Sequence, residues 1–197
     1  MPEMISPLAG LPAPGPADGT TAPASGDASL TLSDRAPPFI LQVTGWVDFE
    51  TAIQPVIADL GFDSLGDYRI AQSRDGRHLL RLAPDRVWLV SDAPLTPAAD
   101  LTPGDRLATL DVTHGRWIID ITGPALEDLL ARLAPIDVRE RQMPPGTFAQ
   151  TAIHKTSVLI WRRASQHVQI FCPTSSVHAL WSFITDTATP LGYRIAK

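Results

Sequence analysis

Leu126, Leu129, Leu130 and Leu133 stand at i, i+3, i+4 and i+7, the spacing that sets four side chains on one stripe of an α-helix. Gly123-Pro124 precedes the stripe and Pro135 follows it. Proline costs no hydrogen bond at the first helical position, and beyond the last turn it stops the helix. So short a helix is not stable alone, so its leucines must be buried against neighbouring elements. Before it, Arg106–Val112 and Arg116–Ile121 read as strands joined near His114-Gly115. After it, Pro144-Pro145-Gly146 makes a turn into strands at Thr147–Ile153, Val158–Arg162 and Val168–Cys172. Thr174 or Ser175 is predicted to cap a last helix with Val177, Leu180, Trp181 and Ile184 on one face. Gly192–Ile195 can close the chain as a short strand.

The first half has the same texture. Phe39–Val43 reads as a strand, and Asp48 is a plausible N-cap for a helix burying Phe49, Ile53, Val56, Ile57 and Leu60. Pro55 is a difficulty inside it, because an interior proline removes a hydrogen bond, and Gly61 ends it. Strands follow at Tyr68–Ser73, His78–Leu82 and Val87–Val90, with Asp75-Gly76 as a hairpin turn and Pro84-Asp85 as the next turn. A proline-rich connector runs from Pro94 to Gly104. This order favours an α+β fold of largely antiparallel sheets with packed helices.

Residues 1–37 are rich in Pro, Ala, Gly, Ser and Asp, and are expected to form a flexible or partner-bound arm. Within them Ile5–Leu11 is an apolar island, either a patch in a linker or a segment that docks on a partner. Residues 38–197 are expected to form a single domain in two halves, 38–93 and 105–197.

The net charge is -5 and the pI about 5.4, which argues against a nucleic-acid footprint. The longest basic cluster is Arg162-Arg163, which reads as a solvated strand end. The single cysteine, Cys172, excludes an internal disulfide and reads as a buried structural thiol, natural in a reducing cytoplasm. No signal-peptide pattern is visible at Met1–Met4, and no apolar run approaches the roughly 18 residues of a membrane span.

Neither a Gly-x-Gly-x-x-Gly nor a Walker A loop is present. His78, His114, His154, His167 and His178 are dispersed, lack metal-ligand spacing, and read as surface or turn residues. Ser175-Ser176 suits helix capping. Asp111 and Asp120 flank the His114 turn, where an acid–base pair is imaginable, although solvent-facing or turn-forming roles are simpler. Trp46, Trp88, Trp117, Trp161 and Trp181 read as core or interface anchors. The sequence thus nominates no catalytic, cofactor-binding or metal-ligating residue.

The run Leu110-Asp111-Val112-Thr113-His114-Gly115-Arg116-Trp117, continuing to Gly123-Pro124, resembles a segment of the folate-dependent aminomethyltransferases. Pro145-Gly146-Thr147-Phe148-Ala149-Gln150-Thr151 resembles that family's entry to a later strand. A narrower resemblance is to the gamma subunits of heterotetrameric sarcosine oxidases. It is carried by Ser6-Pro7-Leu8-Ala9-Gly10, Leu82–Val90, Ile136-Asp137-Val138, Pro144–Thr151 and Cys172-Pro173-Thr174-Ser175 with Trp181. The small subunits of N-methylglutamate dehydrogenase are close cousins. The resemblance implies a fold like the folate-binding domain of aminomethyltransferases, and a cytoplasmic accessory role beside larger flavoprotein subunits. Those subunits would hold FAD, FMN, NAD and tetrahydrofolate, with no nucleic acid and no membrane involved. Aminomethyltransferases carry an acidic pair on the strand that corresponds to Lys155–Trp161, which here has no Asp or Glu. The resemblance therefore also implies that the chain has no active site of its own, against the alternative of a folate-dependent transferase.

Overall fold

A computed structural model describes residues 6–9, 20–21, 28–95 and 106–196. In chain order the strands are β1 (Thr20–Thr21), β2 (Leu30–Arg35), β3 (Phe39–Gly45), β4 (Gln72–Arg74), β5 (Arg77–Ala83) and β6 (Arg86–Ser91). They continue with β7 (Leu107–Asp111), β8 (Arg116–Thr122), β9 (Phe148–Ile153), β10 (Thr156–Ala164), β11 (His167–Pro173) and β12 (Tyr193–Ile195). The helices are α1 (Phe49–Asp59), α2 (Leu126–Leu133) and α3 (Val177–Ala188). The chain divides into two compact units, 37–114 and 1–36 together with 115–197.

In the unit 37–114, five antiparallel strands run in the order β4-β5-β6-β3-β7. Alternation along the strands sends Leu41, Val43, Leu79, Val87 and Leu89 to one core with Phe49, Ile53, Val56 and Ile57 of α1. Asp75 and Gly76 both have positive φ, as a tight hairpin turn between β4 and β5 requires. Three local expectations need correction. Asp48 stands at the N-cap position, but in a left-handed conformation and without a side-chain cap bond; its carbonyl accepts from Ala52 N at 2.9 Å. α1 runs through Pro55, which lies on the exposed side with Thr51, so water can replace the missing amide on the Thr51 carbonyl. The strand expected at Tyr68–Ser73 shrinks to Gln72–Arg74, because Arg69 adopts positive φ and breaks the extended run.

The other unit holds a seven-stranded sheet in the order β1-β12-β2-β8-β11-β10-β9. Every pair is antiparallel except β12 with β2. The four leucines of α2 and Val177, Leu180, Trp181 and Ile184 of α3 cover one face of this sheet, over Leu32, Ile119, Ile121, Ile160 and Ile170. α3 is entered through a 3-10 turn, Thr174–Ser176, so its N-cap falls on Ser176, one residue beyond the expected positions.

Two boundaries differ from the sequence division. β7 belongs with β3 in the first unit's sheet, because Leu41 to Gly45 supply its pairing partners. β2 lies in the stretch expected to be a flexible arm, yet Leu30 and Leu32 are fully buried between β8 and β12. The Leu-Thr-Leu-Ser alternation favours a strand, and its partners come from far along the chain. Leu8 of the apolar island packs against the same core, and Ser6 Oγ donates to Asp34 Oδ2 at 2.5 Å. Ile5, Gly10, Leu11 and residues 96–104 of the connector lie outside the described residues.

Candidate functional site

β8 alternates sharply: Trp117, Ile119 and Ile121 enter the core under the helices, which sends Asp120 to the opposite face of the sheet. Pairing register puts Ser33 of β2 and Gln169 of β11 directly beside it. Asp120 Oδ1 lies 2.6 Å from His167 Nε2 and accepts from Gln169 Nε2 at 3.1 Å, while Oδ2 accepts from Arg35 Nε at 2.8 Å. Burial pushes this carboxyl upward, but the bonds from His167, Arg35 and Gln169 outweigh it and hold its pKa below the usual carboxylate value. A carboxylate saturated in this way is a poor proton acceptor and a strong clip between three strands.

Asp111 belongs to the other unit. The Asp111 carboxylate accepts the Thr113 amide at 2.9 Å, a turn-forming bond of the kind expected for it. The histidines remain dispersed, but His167 departs from a surface reading because it is half-buried against Asp120. His78 Nδ1 lies 2.8 Å from Ser73 Oγ, His154 stacks 4.9 Å from the Phe183 ring, and His114 and His178 are exposed. Among the described residues no group of three His, Cys, Asp or Glu could hold a metal ion.

β10 is the strand on which the resemblance places carboxylates in aminomethyltransferases. Here Val158 and Ile160 join the core under the helices, and Leu159 and Trp161 are buried as well. Arg162 corrects the reading of a solvated strand end, since its side chain has no exposed surface. Its Nη1 donates to the Ser165 carbonyl at 2.6 Å, its Nη2 donates to the Val138 carbonyl, and Glu127 lies 3.9 Å away. A guanidinium can be buried because its fork reaches several acceptors at once. Only Arg163 behaves as a surface residue, half-exposed and stacked 3.9 Å above the Trp161 ring.

Cys172 is buried as expected, with Sγ 3.6 Å from the Trp117 carbonyl, and burial pushes its thiol up to about 12. Trp88, Trp117, Trp161 and Trp181 are buried, whereas Trp46 is exposed. Two of the buried indoles anchor polar partners: Trp117 Nε1 donates to Asp34 at 2.9 Å and Trp88 Nε1 to Gln42 at 3.1 Å.

No family model matches the chain. It is 24% identical over 128 residues to a sarcosine oxidase subunit gamma from Arthrobacter sp, covering 61% of this chain and 63% of that protein. It is 28% identical over 100 residues to another protein of that name, from Corynebacterium sp. (strain P-1), covering 49% of each. The matches thus span less than two thirds of these curated relatives. Among solved structures, a chain of heterotetrameric sarcosine oxidase from Corynebacterium sp. U-96, in complex with pyrrole 2-carboxylate, is similar with a TM-score of 0.79 and 22% identity. That likeness covers 95% of this chain and 96% of that one. The glycine cleavage system aminomethyltransferase T from Bartonella henselae is similar with a TM-score of 0.54 and 17% identity, over 86% of this chain and 48% of its own. The α+β fold expected from the aminomethyltransferase resemblance is the fold observed. The chain is similar to proteins named sarcosine oxidase subunit gamma, and it shares its fold with a chain of heterotetrameric sarcosine oxidase and with aminomethyltransferase T.

Proposed function

We propose that this chain is a non-catalytic accessory subunit of a sarcosine oxidase-type flavoenzyme complex, and that it stabilises the assembly. The observation that carries this reading is the likeness over 95% of the chain to a component of a heterotetrameric enzyme, together with curated relatives that bear the gamma-subunit name. On this reading larger flavoprotein subunits bind FAD, FMN and NAD, oxidise sarcosine and pass the one-carbon unit to tetrahydrofolate. The chain itself supplies no reacting group. The buried apolar stretch of β10 supports that division of labour, because valine, leucine and isoleucine cannot orient a folate amine or carry a proton. The fold is kept while the chemistry resides elsewhere, as a fold permits. The cytoplasm is the proposed location, in keeping with a single buried thiol. No helix among the described residues is long and apolar enough to cross a membrane.

Purification of the tagged full chain from its native host tests the proposal. A yellow complex of several subunits that oxidises sarcosine supports it, and a colourless lone protein overturns it. Oxidation of N-methylglutamate in place of sarcosine would assign the chain to the cousin complex. Stoichiometric binding of tetrahydrofolate by the isolated chain would favour a transferase.

A further inference from the structure

The large apolar side chains that the described residues leave exposed are Trp46, Val47, Tyr68, Ile70 and Leu110, all in the unit 37–114. Net charge is divided in the same way. Residues 37–114 hold eleven Asp and Glu against six Arg, whereas the remainder holds ten acidic and ten basic residues. The whole charge of -5 therefore belongs to the unit that exposes apolar groups.

Three of these side chains belong to the β3–β7 side of the five-stranded sheet, two just past the end of β3 and one on its edge neighbour β7. Trp46 and Val47 follow β3 directly and are 65% and 77% exposed. Trp46 N donates to the Arg106 carbonyl at 3.3 Å and Gly45 N to the Asp85 carbonyl at 3.0 Å, so the turn is pinned on both sides. Asp48 then turns the chain into α1 at φ 57, leaving the tip held outward by backbone bonds rather than by burial. Leu110, 58% exposed, lies three residues beyond Leu107, the pairing partner of Gly45, which is about 10 Å along the edge strand β7. The exposed acids Asp48, Asp85 and Asp111 adjoin these apolar groups, with Arg86 and Arg106 as the nearby cations. Tyr68 and Ile70 precede β4, at the other margin.

We infer that the Trp46-Val47 tip with Leu110 is the contact by which this chain docks on a larger subunit of the complex, an inference that rests on the accessory-subunit reading above. The occupant is a partner face with an apolar pocket ringed by arginine and lysine. A tryptophan on a rigid turn suits the anchor of such a contact, and the net negative charge of this unit favours a basic rim.

The test uses the tagged full chain expressed in its host, with flavin absorbance and the larger chains measured in the purified material. Trp46→Ser with Val47→Ser lowers co-purified flavoprotein about tenfold or more, as loss of an anchor does. Tyr68→Ser with Ile70→Ser at the other margin leaves it unchanged. Raising salt from about 50 to 500 mM releases flavoprotein from the wild-type chain, because rim charges are screened. Circular dichroism and thermal melting of the isolated Trp46/Val47 variant match the wild type, which separates docking from folding. Capture of flavoprotein by the wild type and by the Trp46/Val47 variant to the same extent overturns this inference and leaves the accessory reading intact. Salt-independent capture, or a wild-type dimer abolished by the variant, overturns it as well. Failure of the wild-type chain to capture any flavoprotein overturns both readings.

Discussion

Arg162 Nη2 donates to the main-chain carbonyl of Val138, 24 residues earlier in the chain, from a side chain with no solvent-exposed surface. The same guanidinium holds the Ser165 carbonyl, and Ser165 Oγ in turn donates to Glu140. One buried cation thereby fastens the segment between α2 and β9 onto the end of β10.

Replacing Arg162 by methionine removes the donors while nearly conserving volume. It strands the buried Val138 carbonyl and weakens the Ser165 turn, so we expect a loss of about 3 kcal/mol in urea unfolding. Glu127→Gln should cost less than about 1 kcal/mol, because that carboxylate is 43% exposed and 3.9 Å away. Equal losses for the two variants would place the stabilisation in the ion pair rather than in the carbonyl contacts.

Asp120 makes stability depend on pH in one direction. Its folded pKa lies below the unfolded value, so its contribution is complete above the ordinary carboxylate pKa of about 3.9 and fades as pH falls through the folded one. Asp120→Asn should cost about 1–3 kcal/mol at neutral pH, and the gap from wild type should narrow in acid. Denaturant titrations across that range measure the gap, and a constant difference would contradict this account.

Gly123 has φ 131, and a Cβ there would stand 2.2 Å from the Ser29 carbonyl oxygen, a main-chain atom that cannot swing away. Gly123→Ala should destabilise the protein by more than about 2 kcal/mol. At Gly115 an added Cβ meets nothing within 4 Å, so Gly115→Ala serves as the near-neutral control. Thermal melts of the two variants make the comparison.

Cys172 should resist alkylation in the folded protein at neutral pH, because burial raises its thiol to about 12 and leaves little thiolate. Full labelling is expected only in denaturant, read by mass spectrometry.

These residues differ in how far the sequence disclosed them. The leucine stripe of α2 and the Asp75-Gly76 hairpin were legible because their causes lie within a few residues of one another. β2 was only half legible. Leu30-Thr31-Leu32-Ser33 alternates as a strand should, but its proline-rich surroundings suggested an arm, and its partners begin 83 residues downstream, where Ile118 pairs Arg35, or lie at the chain's far end. Asp120 and His167 meet because β8 and β11 pair in one particular register, and no local pattern encodes a contact across 47 positions. Arg162 was misread for a related reason, since its acceptors are main-chain carbonyls, which leave no mark in side-chain composition. For the candidate site, the apolar character of residues 158–161 was legible, but the polar clip on the sheet's other face was not.

The parallel pairing of β12 with β2 has a consequence for synthesis. Residues 37–114 are contiguous, so they can reach their native arrangement while later residues are still being added. The unit that flanks them cannot complete its sheet until Tyr193–Ile195 has left the ribosome, and until then Leu30 and Leu32 lack their neighbour on that side. The nascent chain finishes its insert before its frame, and during that interval it is the half-built frame that holdase chaperones would have reason to grip.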